Sequence, residues 1–223
     1  MLVTSRSFEE YEAFFALTSE DLAGAVLDCS AGASGFAAVA NARGGRVTAV
    51  DPAYDQEAER LGAAASDAAT RGRTILAEHR DHYVWSWYGT LERHDELRQA
   101  ALAAFLADLR LHPDTYVPGS LPDLPFADDA FDLALCSHLL FTWSNVFDHA
   151  WHEAALRELL RVAREVRVFP LVVQGAGDAV PFMSSVLDRL RDLGHQAEVV
   201  DVPYEFQRGA HQMLTVAAAR TSA

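Results

Sequence analysis

Four short clusters in this 223-residue chain hold residue types at spacings that can do chemistry. The first is the loop Ser30-Ala31-Gly32-Ala33-Ser34-Gly35, between an apolar run ending Asp28-Cys29 and a run of small residues. Glycines let a backbone approach a ligand closely, and a helix starting behind them offers free N–H groups. Spaced as Ser30-x-Gly32-x-x-Gly35, the loop is one residue short of the dinucleotide fingerprint, and it also reads as a tight strand-to-helix turn with no ligand. The second is Asp51-Pro52, closing the run Arg46 to Val50. A carboxylate there can accept both hydroxyls of a ribose, or serve as an exposed helix N-cap acid at a strand end.

The third cluster is the stretch 124–138, LPFADDAFDLALCSH, which ends in Cys136, Ser137 and His138. His138 follows a strand at the edge where open α/β sheets bind ligands. It reads either as a general base or as a ring packed under a ligand. The fourth is the aromatic run 82–88, in which Trp85, Trp87 and Tyr88 either line a substrate pocket or pack inward on a helix at i,i+3. His149-x-x-His152-Glu153 lacks a third ligand, so no metal site is expected. The acids Glu9-Glu10 and Asp128-Asp129 read as solvated.

Periodicity supplies the elements that must position these residues. Helices are expected over 5–17, 36–43, 151–164 and 181–193, with strands over 25–29, 46–50, 116–117, 131–136, 165–173, 197–202 and 213–218. Pro170 suggests a kinked end for the strand that contains it. Strand, glycine loop, helix, strand and acid form a βαβ unit, which implies parallel strands. The last two strands are too close in sequence for a helical crossover and should pair antiparallel. Two helical stretches, about 55–80 and 92–111, flank the aromatic run; residues 53–114 therefore read as a helical cap inserted after strand two. The fold expected is a single domain spanning 1–223, an α/β, Rossmann-like, doubly wound sheet, mostly parallel with a C-terminal antiparallel hairpin.

Composition narrows the partners. Eighteen basic against 32 acidic residues give a net charge of −14. Nucleic-acid binders need basic surface to displace counterions, so no nucleic acid partner is expected. The first residues lack the charged-then-apolar pattern of a signal peptide, and no apolar stretch is long enough to span a bilayer, so no membrane partner is expected. Cys29 and Cys136 each sit in an apolar run, which suits a reducing cytoplasm. A small-molecule substrate remains, with oligomeric state left open.

The chain resembles the class I S-adenosylmethionine-dependent methyltransferases. The resemblance rests on Val26-Leu27-Asp28, the loop 30–35, Asp51, Leu124-Pro125-Phe126 and the run Phe131 to Leu140. The stretches 28–36 and 204–214 further resemble a group of bacterial methyltransferase-like proteins. The resemblance implies S-adenosylmethionine as cofactor, with S-adenosylhomocysteine as product. It implies cofactor-binding roles for Asp28, Ser30, Ala31, Gly32, Gly35, Asp51, Pro52, Ser120, Leu121, Cys136 and Ser137, with Asp28 toward the amino-acid end, Asp51 on the ribose and Ser120 or Leu121 by the adenine. His138, from its place after the strand, is the candidate base. Ser30 and Ser34 stand where the family carries glycines, and a Cβ makes positive φ costly there. Two rivals follow: an NAD-dependent oxidoreductase using the near-fingerprint loop, and a methyltransferase-like binding protein without catalysis.

Overall fold

The computed structural model describes residues 3–175 and 177–219. Seven strands lie among them: β1 (Ala25–Cys29), β2 (Arg46–Val50), β3 (Tyr116–Val117), β4 (Phe131–Ser137), β5 (Ala163–Phe169), β6 (Gln196–Asp201) and β7 (Gln212–Ala217). They form one sheet in the order β3-β2-β1-β4-β5-β7-β6. The first five run parallel, and β7 lies antiparallel between β5 and β6. This is the doubly wound, Rossmann-like α/β arrangement expected from the βα alternation, with its closing hairpin.

Central strands of such a sheet are buried on both faces, and alternate side chains serve different cores. Val26, Leu133 and Leu135 enter one core with helices α1 (Phe8–Phe15), α2 (Phe36–Ala42), α3 (Ala58–Glu78) and α4 (Leu91–Leu111). Leu27, Ala134 and Cys136 enter the other with α5 (His149–Val162) and α6 (Met183–Asp192). Side-chain caps fix several helix starts: Thr90 accepts from the Arg93 N–H and Asp148 from the Trp151 N–H. α1 is shorter than the span 5–17, because Ala16 turns left-handed at φ 46°. β5 stops at Phe169, ahead of Pro170, rather than running to residue 173; proline cannot donate to the ladder.

Between β2 and β3 lie α3, α4 and three 3-10 turns, Pro52–Asp55, Arg80–His82 and Pro113–Thr115, which overlap both ends of the span 53–114. α4 lies directly over the start of α2. A Cβ on Gly35 would meet the Ala101 carbonyl oxygen at 2.8 Å, so only glycine admits this approach. The aromatic run between α3 and α4 is not helical. Tyr83 bridges to Gln207, and the Val84 N–H donates to Phe206 O at 2.7 Å. The run's backbone thus finds partners in the loop between β6 and β7 instead of in a helix of its own. Among the described residues no helix is long and apolar enough to cross a membrane.

Candidate active site

The loop after β1 is held by backbone geometry and one carboxylate. Ser30 and Gly32 both take left-handed φ, at 62° and 60°. Ser30 adopts it despite its Cβ, the kind of local strain that surrounding structure must over-determine. Ser34 solves a different problem: its Oγ accepts the Phe36 N–H at 3.1 Å and so occupies one free donor of α2. Asp51, at the end of β2, reaches across to the loop. Its Oδ2 accepts the Gly32 N–H at 3.0 Å, and its Oδ1 accepts the Ala53 N–H at 2.8 Å. It is 4% exposed, not the open strand-end acid expected, because two backbone donors draw it inward. Burial raises its pKa.

Asp28 is fully buried on β1. Its Oδ1 accepts from the Tyr11 hydroxyl at 2.8 Å, while Oδ2 has no partner among the described residues. Burial, with Asp51 nearby, pushes its pKa up to about 8 against the opposing pull of the Tyr11 hydrogen bond. Burial therefore favours the protonated carboxyl.

A cavity of about 590 Å³ opens at the C-terminal ends of the parallel strands, within the size range of small-molecule sites. Ser30, Gly32 and Asp51 form one side, and Ser137 and His138 the middle. α3 and α4 close it from above. The far side is aromatic: Phe169, Tyr204, Phe206 and Tyr83. His138 sits at φ 56°, its N–H donating to Phe169 O at 2.7 Å. Its Nδ1 lies 2.7 Å from Ser137 Oγ, and its ring packs against Phe14 at 5.2 Å and Phe169 at 5.6 Å. Burial, reinforced by Arg6 and Arg98, holds its pKa well below 6.5, so the imidazole is neutral at pH 7.

Of the candidate site residues, the cavity brings together Ser30, Gly32, Asp51, Ser137 and His138. Asp28, Ala31, Gly35 and Cys136 lie behind that wall in the core or the loop. Pro52 and Ser120 are exposed, and Leu121 packs into the core shared with α5. Trp85, Trp87 and Tyr88 stand in a second layer. Trp85 meets Phe206 edge-on at 5.1 Å, Trp87 meets Tyr204 at 5.2 Å, and the Tyr88 hydroxyl reaches Glu10. The ring of that run on the cavity itself is Tyr83, stacked on Phe206 at 4.8 Å.

Sequence reasoning missed Arg6, Glu10, His94, Arg98 and Tyr204. Glu10 in particular is buried, not solvated, at 0% exposure. A signal was present: Ser7-x-x-Glu10 is a capping box, which turns the glutamate back toward the helix start, and both of its hydrogen bonds form. His152 is buried against Phe141, and among the described residues no group of three or more metal-ligating side chains occurs.

Comparison with known proteins meets this geometry. Residues 90–166, from α4 through β4 and α5 into β5, match the family model of the methyltransferase domain. An uncharacterized protein of Methanocaldococcus jannaschii is 24% identical over 220 residues, covering 96% of this chain and 95% of its own. The structure of magnesium protoporphyrin IX methyltransferase from Synechocystis PCC 6803 with bound SAM is similar at a TM-score of 0.50 and 12% identity, over 95% of this chain and 78% of that one. The mitomycin 7-O-methyltransferase MmcR is similar at a TM-score of 0.50 and 14% identity, over 95% of this chain and 54% of that one. The chain has the fold of the class I S-adenosylmethionine-dependent methyltransferases. Over residues 90–166 it also carries the match to a methyltransferase domain.

Proposed function

We propose that the protein is an S-adenosylmethionine-dependent methyltransferase acting on a small molecule inside the cavity. One observation carries this reading: a single cavity touches the loop after β1, the acid ending β2, and the Ser137-His138 pair ending β4, under a cover of α3 and α4. In this reading residues 53–114 are the cap of a single domain. The residues present fit the donor. Asp51 keeps free lone pairs for ribose hydroxyls, and the unpartnered Oδ2 of Asp28, behind the wall, suits an ammonium group through water.

S-adenosylmethionine, when bound, supplies an electrophilic methyl group on a sulfonium. The chain's own task is then to orient the acceptor and exclude water. The aromatic side formed by Phe169, Tyr204 and Phe206 gives a flat acceptor an apolar wall. His138, neutral at pH 7, takes a proton from an acceptor that carries one. Ser137 Oγ, at its Nδ1, fixes the ring. His138→Ala is expected to lower kcat about 100-fold or more for a protonated acceptor. The enclosure and the charge of −14 favour small molecules over nucleic acid.

Titration calorimetry with S-adenosylmethionine, S-adenosylhomocysteine and NAD tests the reading. Micromolar binding of the adenosyl ligands and none of NAD is expected. NAD binding without adenosyl binding would replace it with the oxidoreductase.

A further inference from the structure

Two guanidinium groups reach the cavity wall from different parts of the chain: Arg6 just ahead of α1, and Arg98 on α4. Behind them stands one carboxylate. Glu10 Oε1 lies 2.9 Å from Arg98 Nη2 and 3.5 Å from Arg6 Nη1, and it accepts from the Tyr88 hydroxyl at 2.5 Å. Its Oε2 accepts the Ser7 N–H at 2.7 Å. One buried negative charge thus serves two positive ones and two neutral donors. The other charged groups on the wall do not correct the imbalance. Arg73 is paired with Asp95, and among the described residues Asp51 forms no ion pair with Arg6 or Arg98, its oxygens facing the Gly32 and Ala53 N–H groups instead.

The two cations are not equivalent. Arg98 is tied down: it also donates to Ser5 O at 2.5 Å and approaches the Tyr88 hydroxyl at 3.5 Å. Arg6 has only the 3.5 Å ion pair with its side chain among the described residues, and its guanidinium hangs 5.7 Å from the centre of the Phe14 ring. Both line the same chamber as His94 and His138. A surplus cation held away from bulk water is costly unless a counter-charge arrives.

We propose that Arg6 and Arg98 form a carboxylate-binding site within the cavity, with Glu10 as the residue that positions both guanidiniums while neutralising only one. A planar guanidinium matches a carboxylate with two parallel hydrogen bonds, a fit that a spherical anion does not offer. Two ligands can bring that carboxylate: the amino-acid end of the methyl donor, or a carboxylated small-molecule substrate. The first source rests on the methyltransferase reading above; the second, a carboxylate in the cavity whatever the reaction, does not depend on it.

The test uses the full chain carrying Arg6→Gln, with Arg6→Lys beside it. Removing Arg6 leaves Glu10 and Arg98 as a balanced pair, so no carboxylate is stranded; thermal melting checks that the variants fold. Calorimetry is run with S-adenosylhomocysteine, with 5′-methylthioadenosine, which lacks the amino-acid end, and with benzoate against neutral benzamide. If the donor supplies the carboxylate, Arg6→Gln weakens S-adenosylhomocysteine about 10- to 100-fold and leaves 5′-methylthioadenosine unchanged. Arg6→Lys then falls between the two. If the substrate supplies it, S-adenosylhomocysteine is unchanged and benzoate binding is lost, while benzamide binds both proteins alike. Either result supports the site. A folded Arg6→Gln protein that binds S-adenosylhomocysteine and benzoate as wild type does overturns it. Should wild type bind neither adenosyl ligand, the methyltransferase reading falls, and the benzoate comparison on the free protein still decides the site.

Discussion

The two sides of the cavity are built in different ways. On the β1–β2 side, Ser30, Gly32 and Asp51 are set by backbone hydrogen bonds between segments about one βαβ unit apart, as in the Gly32 N–H to Asp51 bond across 19 residues. On the opposite side, side chains from remote segments meet. Tyr88 bonds Glu10 across 78 residues and Tyr204 across 116, and Arg98 bonds Ser5 across 93. The first side follows from the geometry of strand, turn and helix. The second exists only once α1, α4 and the β6–β7 loop have docked, and shared charge holds it. The first should therefore tolerate changes of pH and side chain better than the second, except at its buried carboxyls.

The largest expected effect breaks the second side. Glu10→Ala leaves two guanidiniums without their carboxylate and should cost about 3–5 kcal/mol of stability, the usual penalty for stranding a buried ion-pair partner. Chemical denaturation measures it; a loss below about 1 kcal/mol would mean the network holds nothing together.

Next, pH should separate the two sides by sign. Asp28 has a folded pKa of about 8, raised above its unfolded value, so its contribution is complete in acid and is lost as pH rises from about 4 to 8. Asp28→Asn should remove that loss, a difference of a few kcal/mol across the window. His94 is pushed down to about 2, chiefly by burial and then by Arg98 and Arg6. Its contribution is present above the unfolded pKa and drains away as pH falls below about 6.5. His94→Gln should flatten that acid limb. Unfolding curves at pH 5, 6.5 and 8 give both slopes; variant slopes equal to wild type would remove the distinction.

Asp51→Ala should act on both function and fold. Losing the acceptor for the Gly32 and Ala53 N–H groups is expected to cost about 1–3 kcal/mol of stability, and donor affinity should fall by about 1.5–3 kcal/mol. A stability loss with unchanged affinity for S-adenosylhomocysteine would leave Asp51 as a structural residue alone. The smallest effect is expected at Trp85→Phe. The ring lies behind Phe206, so ligand affinity should stay within about 0.5 kcal/mol, the scale of a neutral surface change. A larger loss would bring the second layer into the site.

The same contrast explains what the sequence disclosed. The β1 loop, Asp51 and the 131–138 segment were legible because their chemistry is local: a turn, a strand end, an apolar run. The sheet and its closing hairpin were legible because hydrophobic period and connection length fix parallel or antiparallel pairing. Glu10 read as a surface acid because its partners Tyr88 and Arg98 lie far along the chain. Arg6 and Arg98 carry no pattern at all in one dimension. The aromatic run was found, but which ring faces the cavity depends on its pairing with Phe206 and Gln207, a long-range contact that spacing does not encode.

The most direct measurement is a crystal structure of the protein soaked with S-adenosylhomocysteine. Density is expected in the cavity, with the ribose hydroxyls on Asp51, the thioether sulfur facing His138 and the adenosine close to the Ser30–Gly32 loop. Ligand density confined to a surface outside this cavity, or none at saturating concentration, would contradict the account.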